Sequence, residues 1–284
     1  MSEAKFVPGK VMVVAGSDSG GGAGIQADIK AIMAQGAYAT TAISALTAQN
    51  TQGVQDIFDV PPAFVVSQMT SILSDIDADI LKTGMLATRA TIEAVAEARD
   101  RLKPKLPMIV DPVMVATSGD PLLAEDAIAA LASLLVRHAL IVTPNLPEAS
   151  LLVGRDTDTL DDMKRAADKL MEGGAHAALI KGGHASASGN SVSDLLALQS
   201  GMHVFEQARL ETTNTHGTGC TLASALSGQL ANSMGREDGE LDSKGHPSDA
   251  TLLHATETAV AYVHRAIKAA PDIGQGHGPV WHGV

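Results

Sequence analysis

Short continuous apolar runs alternate along this chain with stretches whose apolar residues recur at helical spacing. Residues 11–15 (Val-Met-Val-Val-Ala) are apolar throughout, the pattern of a strand buried on both faces. A glycine-rich segment, 16–24, follows, and residues 25–35 read as a helix. Residues 39–45 predict a second strand. Residues 61–75 open on proline and space Phe64, Met69, Ile72 and Leu73 as a helix does. Residues 79–83 predict a strand, and 88–99 a helix with Thr88 as its N-cap. Strands at 108–111, 140–143 and 177–181 then alternate with helices at 124–136 and 161–171. Beyond Lys181 the pattern changes. Residues 191–199 and 203–210, divided by Ser200-Gly201, predict a hairpin. Helices over 218–232 and 247–269 complete the chain, with a polar, solvated loop at 235–246.

This alternation predicts an α/β protein with a mainly parallel central sheet and helices on both faces. No repeat, low-complexity tract or linker interrupts it, so one domain over residues 1–284 is expected. Ligands of such sheets bind beyond the carboxyl ends of the strands. The unusual residues gather there: the glycines after the first strand, Thr47 to Asn50 after the second, Lys82 to Met85 and Asp111 to Met114 after the next two. Asn145 to Glu148 and Lys181 to Gly183 follow the last two.

Composition narrows the chemistry. Hydrophobic residues make up 45% and aromatics 2%, so the core is aliphatic and few rings are free to stack on nucleic-acid bases. The formal net charge of -12 disfavours nucleic acids and anionic membranes as partners. A small-molecule substrate remains, and an anionic one needs a local site of backbone N–H groups and lysines. One cysteine, Cys220, excludes an intrachain disulfide and a Cys-rich zinc site. Residues 1–9 show no secretory signal and no run is long enough to span a membrane; a cytoplasmic protein is expected.

The segment 16–24 is longer and richer in glycine than a tight turn needs, which favours ligand contact at the start of a helix. It is not a Walker A loop, since no Gly-Lys-Ser/Thr occurs in it, and its fit to a dinucleotide fingerprint is loose. Asp28 follows in the next helix; a favourable interaction with the helix N-terminus and a substrate contact are equally open. Gln49 carries an amide that suits the edge of a heterocycle, whereas Asn50 is accounted for by turn chemistry. Asn145 and Glu148 could share a hydrated Mg²⁺, or form the start of a helix. Lys181 before two glycines is placed to meet phosphate, or to snorkel from a strand end. Gly217, Thr218 and Gly219 open a small-residue helix and offer free N–H groups to an anion. Cys220 is either a small buried residue or a thiol whose pKa the helix end lowers.

Together the motifs Gly16-Ser17-Asp18, Gly22-Ala23-Gly24-Ile25-Gln26-Ala27-Asp28, Ala48-Gln49-Asn50-Thr51, Lys82-Thr83-Gly84-Met85-Leu86, Asp111-Pro112-Val113-Met114, Thr143-Pro144-Asn145-Leu146-Pro147-Glu148, Lys181-Gly182-Gly183-His184 and Asn214-Thr215-His216-Gly217-Thr218-Gly219-Cys220 resemble, in this order, the bacterial hydroxymethylpyrimidine/phosphomethylpyrimidine kinases. The resemblance runs from about Val11 into the tail, and implies a ribokinase-like three-layer sandwich, ATP and Mg²⁺ as cosubstrate and cofactor, and a homodimer. It implies two phosphoryl transfers in thiamine biosynthesis, to hydroxymethylpyrimidine and then to its monophosphate. By resemblance, Gln49 reads the pyrimidine edge, while Ala23, Asp28, Thr47, Met85 and Val113 are substrate-side residues. Asn145, Lys181, Gly217, Thr218 and Gly219 meet ATP and its phosphates. Glu148 and Asp111 face the metal, and Cys220, with Lys181, serves the chemistry. Thr47 departs from relatives that are apolar there, and Ser19-Gly20 from relatives with Pro-Ser. The alternative in the same fold is a pyridoxal kinase. A non-catalytic vitamin or nucleotide binder would have no use for the phosphate apparatus, and a dinucleotide oxidoreductase lacks the acidic residue its second strand would need.

Overall fold

The computed structural model describes residues 7–114, 122–123, 125–183, 190–234, 241–242 and 245–284. His184 and most of the Ser/Gly-rich segment 185–190, read from sequence as a plain loop, lie outside the described residues, as does most of the loop before the last helix.

All nine described strands join one sheet in the order β3-β2-β1-β4-β5-β6-β7-β8-β9. β1 (Lys10–Asp18), β2 (Tyr38–Asn50), β4 (Ile80–Thr83), β5 (Met108–Val110), β6 (Ile141–Val142) and β7 (Ala177–Ile180) run parallel. The antiparallel strand β3 (Gly53–Asp59) closes one edge, and the hairpin of β8 (Ser191–Leu198) and β9 (Gly201–Ala208) closes the other.

The apolar runs are continuous because both faces of the sheet are covered. In β1, Met12 and Val14 face a core built with α2 (Pro62–Leu73), α3 (Arg89–Leu102), α4 (Glu125–Ala130), α5 (Leu146–Val153) and α6 (Leu160–Glu172). Val11, Val13 and Ala15 face the opposite core, built with α1 (Gly24–Ala34), α7 (Thr218–Met234) and α8 (Asp249–Lys268). This is the three-layer α/β sandwich that the alternation predicts. Thr88 caps α3 as expected, accepting a hydrogen bond from the Thr91 N–H.

Two expectations need correction. Residues 47–50 are not a loop: β2 continues through them to Asn50 and turns into β3. Most of β3 is exposed on both faces, so it carries no hydrophobic alternation from which a strand could be read. The helix expected over 124–136 is α4 followed by a π turn at Leu131–Leu135 and a 3₁₀ turn at Val136–His138.

The chain leaves β1 for β2 on one side and returns to β4 on the other. The carboxyl ends of β1 and β4 therefore flank a topological switch point, where such sheets open a crevice.

Candidate active site

Each parallel strand delivers a polar residue or a glycine to the same end of the sheet. At one end of this row, Lys181 follows β7 and Asp111 follows β5. The Lys181 ammonium donates to Asp111 Oδ1 at 3.0 Å and lies 3.9 Å from Glu148 Oε2. Asp111 is buried, and Thr143 at the end of β6 also donates to its Oδ1, at 3.3 Å. The second oxygen, Asp111 Oδ2, is buried without a hydrogen-bond partner among the described residues.

Asn145 caps α5 in a reciprocal box. Its side chain accepts from the Glu148 N–H at 2.9 Å, and Glu148 accepts from the Asn145 N–H at 2.8 Å. The helix-start reading is thus correct, and it fixes the Glu148 carboxylate beside Lys181. Burial drives the Glu148 pKa up to about 7, against the pull of Lys181 and with the added repulsion of Asp111. Lys181 itself is held above the ordinary lysine value: burial lowers it, but Asp111 and Glu148 outweigh that.

The N-terminus of α7 closes this end. A Cβ on Gly219 would stand 3.2 Å from the Lys181 ammonium and 3.9 Å from Asp111 Oδ2. Only glycine leaves that space for a ligand atom between the helix N-terminus and the lysine. Gly217 is buried and Thr218 is partly open.

The other end of the row lies across β1. Ser19 ties the first loop to β2, donating to the Gln49 carbonyl and accepting its N–H, both at 2.8 Å. The Thr47 hydroxyl lies 3.1 Å from the Ser17 carbonyl and 3.0 Å from Gln49 Oε1. Met85 is nearly buried, its carbonyl accepting from Ser44 at 2.6 Å and its sulfur 3.2 Å from where a Cβ on Gly16 would sit. Ala23 and Val113 are half-buried, Ala23 at the N-cap of α1 and Val113 two residues beyond Asp111.

Asp28 and Cys220 differ from their sequence readings. Asp28 lies past the first turn of α1 and has no exposed surface. Its Oδ1 accepts from the fully buried Lys82 at 2.8 Å and from Ser224 of α7 at 2.7 Å. Its place beyond the first turn sets aside the helix-terminus reading. It holds α1 to β4 and α7, and its second oxygen, Oδ2, is buried without a hydrogen-bond partner among the described residues. Cys220 is half-buried, and its thiol is pushed up to about 12, first by burial and then by Asp28 and Asp111; Lys82 and the Gly24 N–H only partly offset this. The helix end does not bring this thiol towards neutrality, and it rests protonated.

Over residues 18–240 the chain matches the family model described as phosphomethylpyrimidine kinase. The chain belongs to that family. A relative from Rhizobium meliloti (strain 1021), named hydroxymethylpyrimidine/phosphomethylpyrimidine kinase, is 46% identical over 272 residues, covering 95% of each chain. The ADP complex of Bacillus subtilis pyridoxal kinase superposes with a TM-score of 0.83 at 33% identity, over 97% of this chain and 98% of that one. The phosphomethylpyrimidine kinase of Clostridium difficile 630 gives 0.74 at 33% identity, over 91% and 99%.

Two residues that the sequence reading did not single out, Asp18 and His216, also meet here. Both are buried, and they pair at 2.9 Å between the glycine-rich loop and the start of α7. Each was visible inside a motif, but nothing in the spacing shows that residues 198 apart in sequence meet. Magnesium, implied by the family, suits the residues present. Mg²⁺ binds through one or two carboxylates and shares its remaining ligands with phosphates and water, and Asp111 offers a buried oxygen with no other partner beside Glu148. Among the described residues no three His, Cys, Asp or Glu form a cage of their own.

Proposed function

We propose that the chain transfers the γ-phosphoryl group of ATP to the hydroxymethyl group of 4-amino-5-hydroxymethyl-2-methylpyrimidine, and then phosphorylates the monophosphate to the diphosphate used in thiamine biosynthesis. The carrying observation is the Lys181–Asp111–Glu148 cluster against the glycine start of α7, at the carboxyl end of the sheet, in a chain of the phosphomethylpyrimidine kinase family.

In this reading Gln49, Thr47, Ala23, Met85 and Val113 hold the pyrimidine, with Asp28 supporting them from behind. Lys181, Asn145 and the N–H groups of Gly217, Thr218 and Gly219 hold the nucleotide phosphates. Asp111 and Glu148 would hold Mg²⁺, which when bound neutralises phosphate charge. The bond from the γ-phosphorus to the β,γ-bridging oxygen breaks, and a bond to the substrate hydroxyl oxygen forms. Charge grows on the departing oxygens, where Lys181 and the helix N–H groups meet it. A loose transition state needs little removal of the hydroxyl proton before the phosphorus–oxygen bond breaks. A Cys220 thiol that rests protonated has no place for that proton, so we assign the proton to an oxygen of the transferred phosphoryl group, late in the reaction, and Cys220 to lining the start of α7.

The chain is further proposed to act as one catalytic domain, in the cytoplasm, as a homodimer. The exposed apolar residues Leu46, Phe58 and Phe64 near the β3 edge support self-association. A second reading, pyridoxal kinase, is favoured by the likeness to the Bacillus subtilis enzyme; the 46% identity to a pyrimidine kinase favours the first. The test is ADP release with Mg²⁺-ATP and equal concentrations of hydroxymethylpyrimidine, its monophosphate and pyridoxal. Turnover of both pyrimidines with pyridoxal far slower is expected; pyridoxal as the best substrate would overturn the first reading.

A further inference from the structure

The two ends of the site are joined by a buried pair whose place in the fold is unlike that of an ordinary surface ion pair. Asp18, at the last position of β1, is 3% exposed, and His216, two residues before α7, is 8% exposed. The carboxylate organises the glycine-rich loop. Its Oδ1 accepts from the Gly20 N–H at 2.7 Å, and its Oδ2 accepts from the N–H groups of Gly22 at 3.0 Å and Ala23 at 2.8 Å. His216 Nε2 lies 2.9 Å from the same Oδ2. An ionised carboxylate only accepts, so the imidazole donates there.

Sterics at the same place are as tight. A Cβ on Gly22 would lie 2.4 Å from the His216 ring, and a Cβ on Gly217 only 1.8 Å from the Gly22 carbonyl oxygen. Gly217 also has φ +82°, which other residues rarely adopt. The backbone of His216 is anchored from behind, its N–H donating to the Gly278 carbonyl at 3.0 Å. One loop ends in Ala23, a wall of the substrate end; the other continues into Gly217–Gly219, the phosphate end. Asp18 and His216 are the side chains that bond the first loop to the second.

We propose that Asp18 and His216 form a positioning pair that locks the substrate loop to the phosphate loop, so that the transferred phosphoryl group reaches the substrate hydroxyl rather than water. This rests on the kinase reading above. Neither side chain need touch the reacting atoms. A displacement of one loop against the other by about an ångström is enough to cost roughly a hundredfold in a reaction that depends on alignment. Water needs no such alignment and takes the group whenever the substrate hydroxyl is misplaced: the same γ-phosphorus–oxygen bond breaks, and inorganic phosphate forms in place of the phosphate ester.

The test measures ADP released per phosphoryl group transferred to the pyrimidine, the monophosphate counted once and the diphosphate twice. This ratio does not depend on the fraction of folded enzyme, so a purely structural role leaves it unchanged. In the wild type it is expected near one. In His216→Ala it is expected to rise at least about threefold while turnover of the pyrimidine falls about tenfold or more. His216→Gln, whose amide can stand in for Nε2 as donor, is expected to bring the ratio most of the way back. A ratio that stays at one in His216→Ala, with only a lower melting temperature, would overturn the proposal. Hydrogen exchange of the loop amides reads the lock without any substrate. In the milder variant Asp18→Asn, amides of residues 20–23 and of 217–219 are expected to exchange faster together, and acceleration of 20–23 alone would overturn the lock. A wild type that releases no ADP with any pyrimidine would instead overturn the kinase reading, and the exchange result would still decide whether the loops are joined.

Discussion

At the scale of single residues, the site combines charges that compensate one another. Lys181 stands between Asp111 and Glu148, so replacing it leaves two carboxylates facing each other and, in the proposed mechanism, removes a phosphate contact. Lys181→Met is expected to lower kcat by about a hundredfold or more, the scale of losing one preorganised donor at developing negative charge; steady-state ADP release checks it. Cys220 gives the opposite expectation for reactivity. With its thiol held near 12, it should react with iodoacetamide at pH 7 at least about tenfold more slowly than a free thiol of ordinary pKa, as mass spectrometry over time would show. Fast alkylation would mean that a thiolate is present after all. Cys220→Ala is accordingly expected to keep near wild-type kcat, and a loss of about a hundredfold, the scale of removing a general base, would show that the thiol takes part in the proton transfer after all. These residues were legible as a set because each sits inside a short motif at a strand end. The state of the thiol was not: its pKa is set first by burial and then by Lys82, Asp28 and Asp111, which approach it only through the packing of α7.

At the scale of elements, function depends on helix starts. The capping box of α5 ties stability to the placement of Glu148. Asn145→Ala is expected to cost about 1 kcal/mol of stability and also to weaken nucleotide binding, read by thermal melting with and without ATP. Gly217→Ala is expected to be worse, because φ +82° and a Cβ 1.8 Å from the Gly22 carbonyl oxygen force two loops apart. The parallel strands and their helices were readable from apolar runs and spacing, since burial on both faces leaves a continuous signal. β3 was not, because an edge strand exposed on both sides has no such pattern. Small residues explain the closeness of α1 and α7: a Cβ on Gly228 would come within 3.0 Å of the Gln35 side chain. That closeness lets Ser224 reach Asp28, a contact that no local pattern announces.

At the scale of the whole molecule, the last residues fold back against α7 and α8 and report on how these helices pack. His282 Nε2 lies 3.0 Å from the Thr221 hydroxyl, and its carbonyl accepts from Tyr262. Burial, with a smaller contribution from Lys30, lowers its pKa from 6.5 to about 4. The native imidazole therefore stays neutral where the unfolded one takes up a proton. Its contribution to stability is full above pH 6.5 and is lost progressively as pH falls towards 4. The melting temperature should decline across that window, and His282→Gln should flatten the decline; Trp281, the one tryptophan, makes tail release visible by fluorescence. Deep in the sandwich, Lys82 has no contact with solvent and is clasped by Asp28 between β4, α1 and α7. An amine-reactive acylating reagent can find it only while that seam is parted. The rate at which the peptide containing Lys82 gains mass is thus a clock for opening of the fold, set inside the molecule and needing no added label.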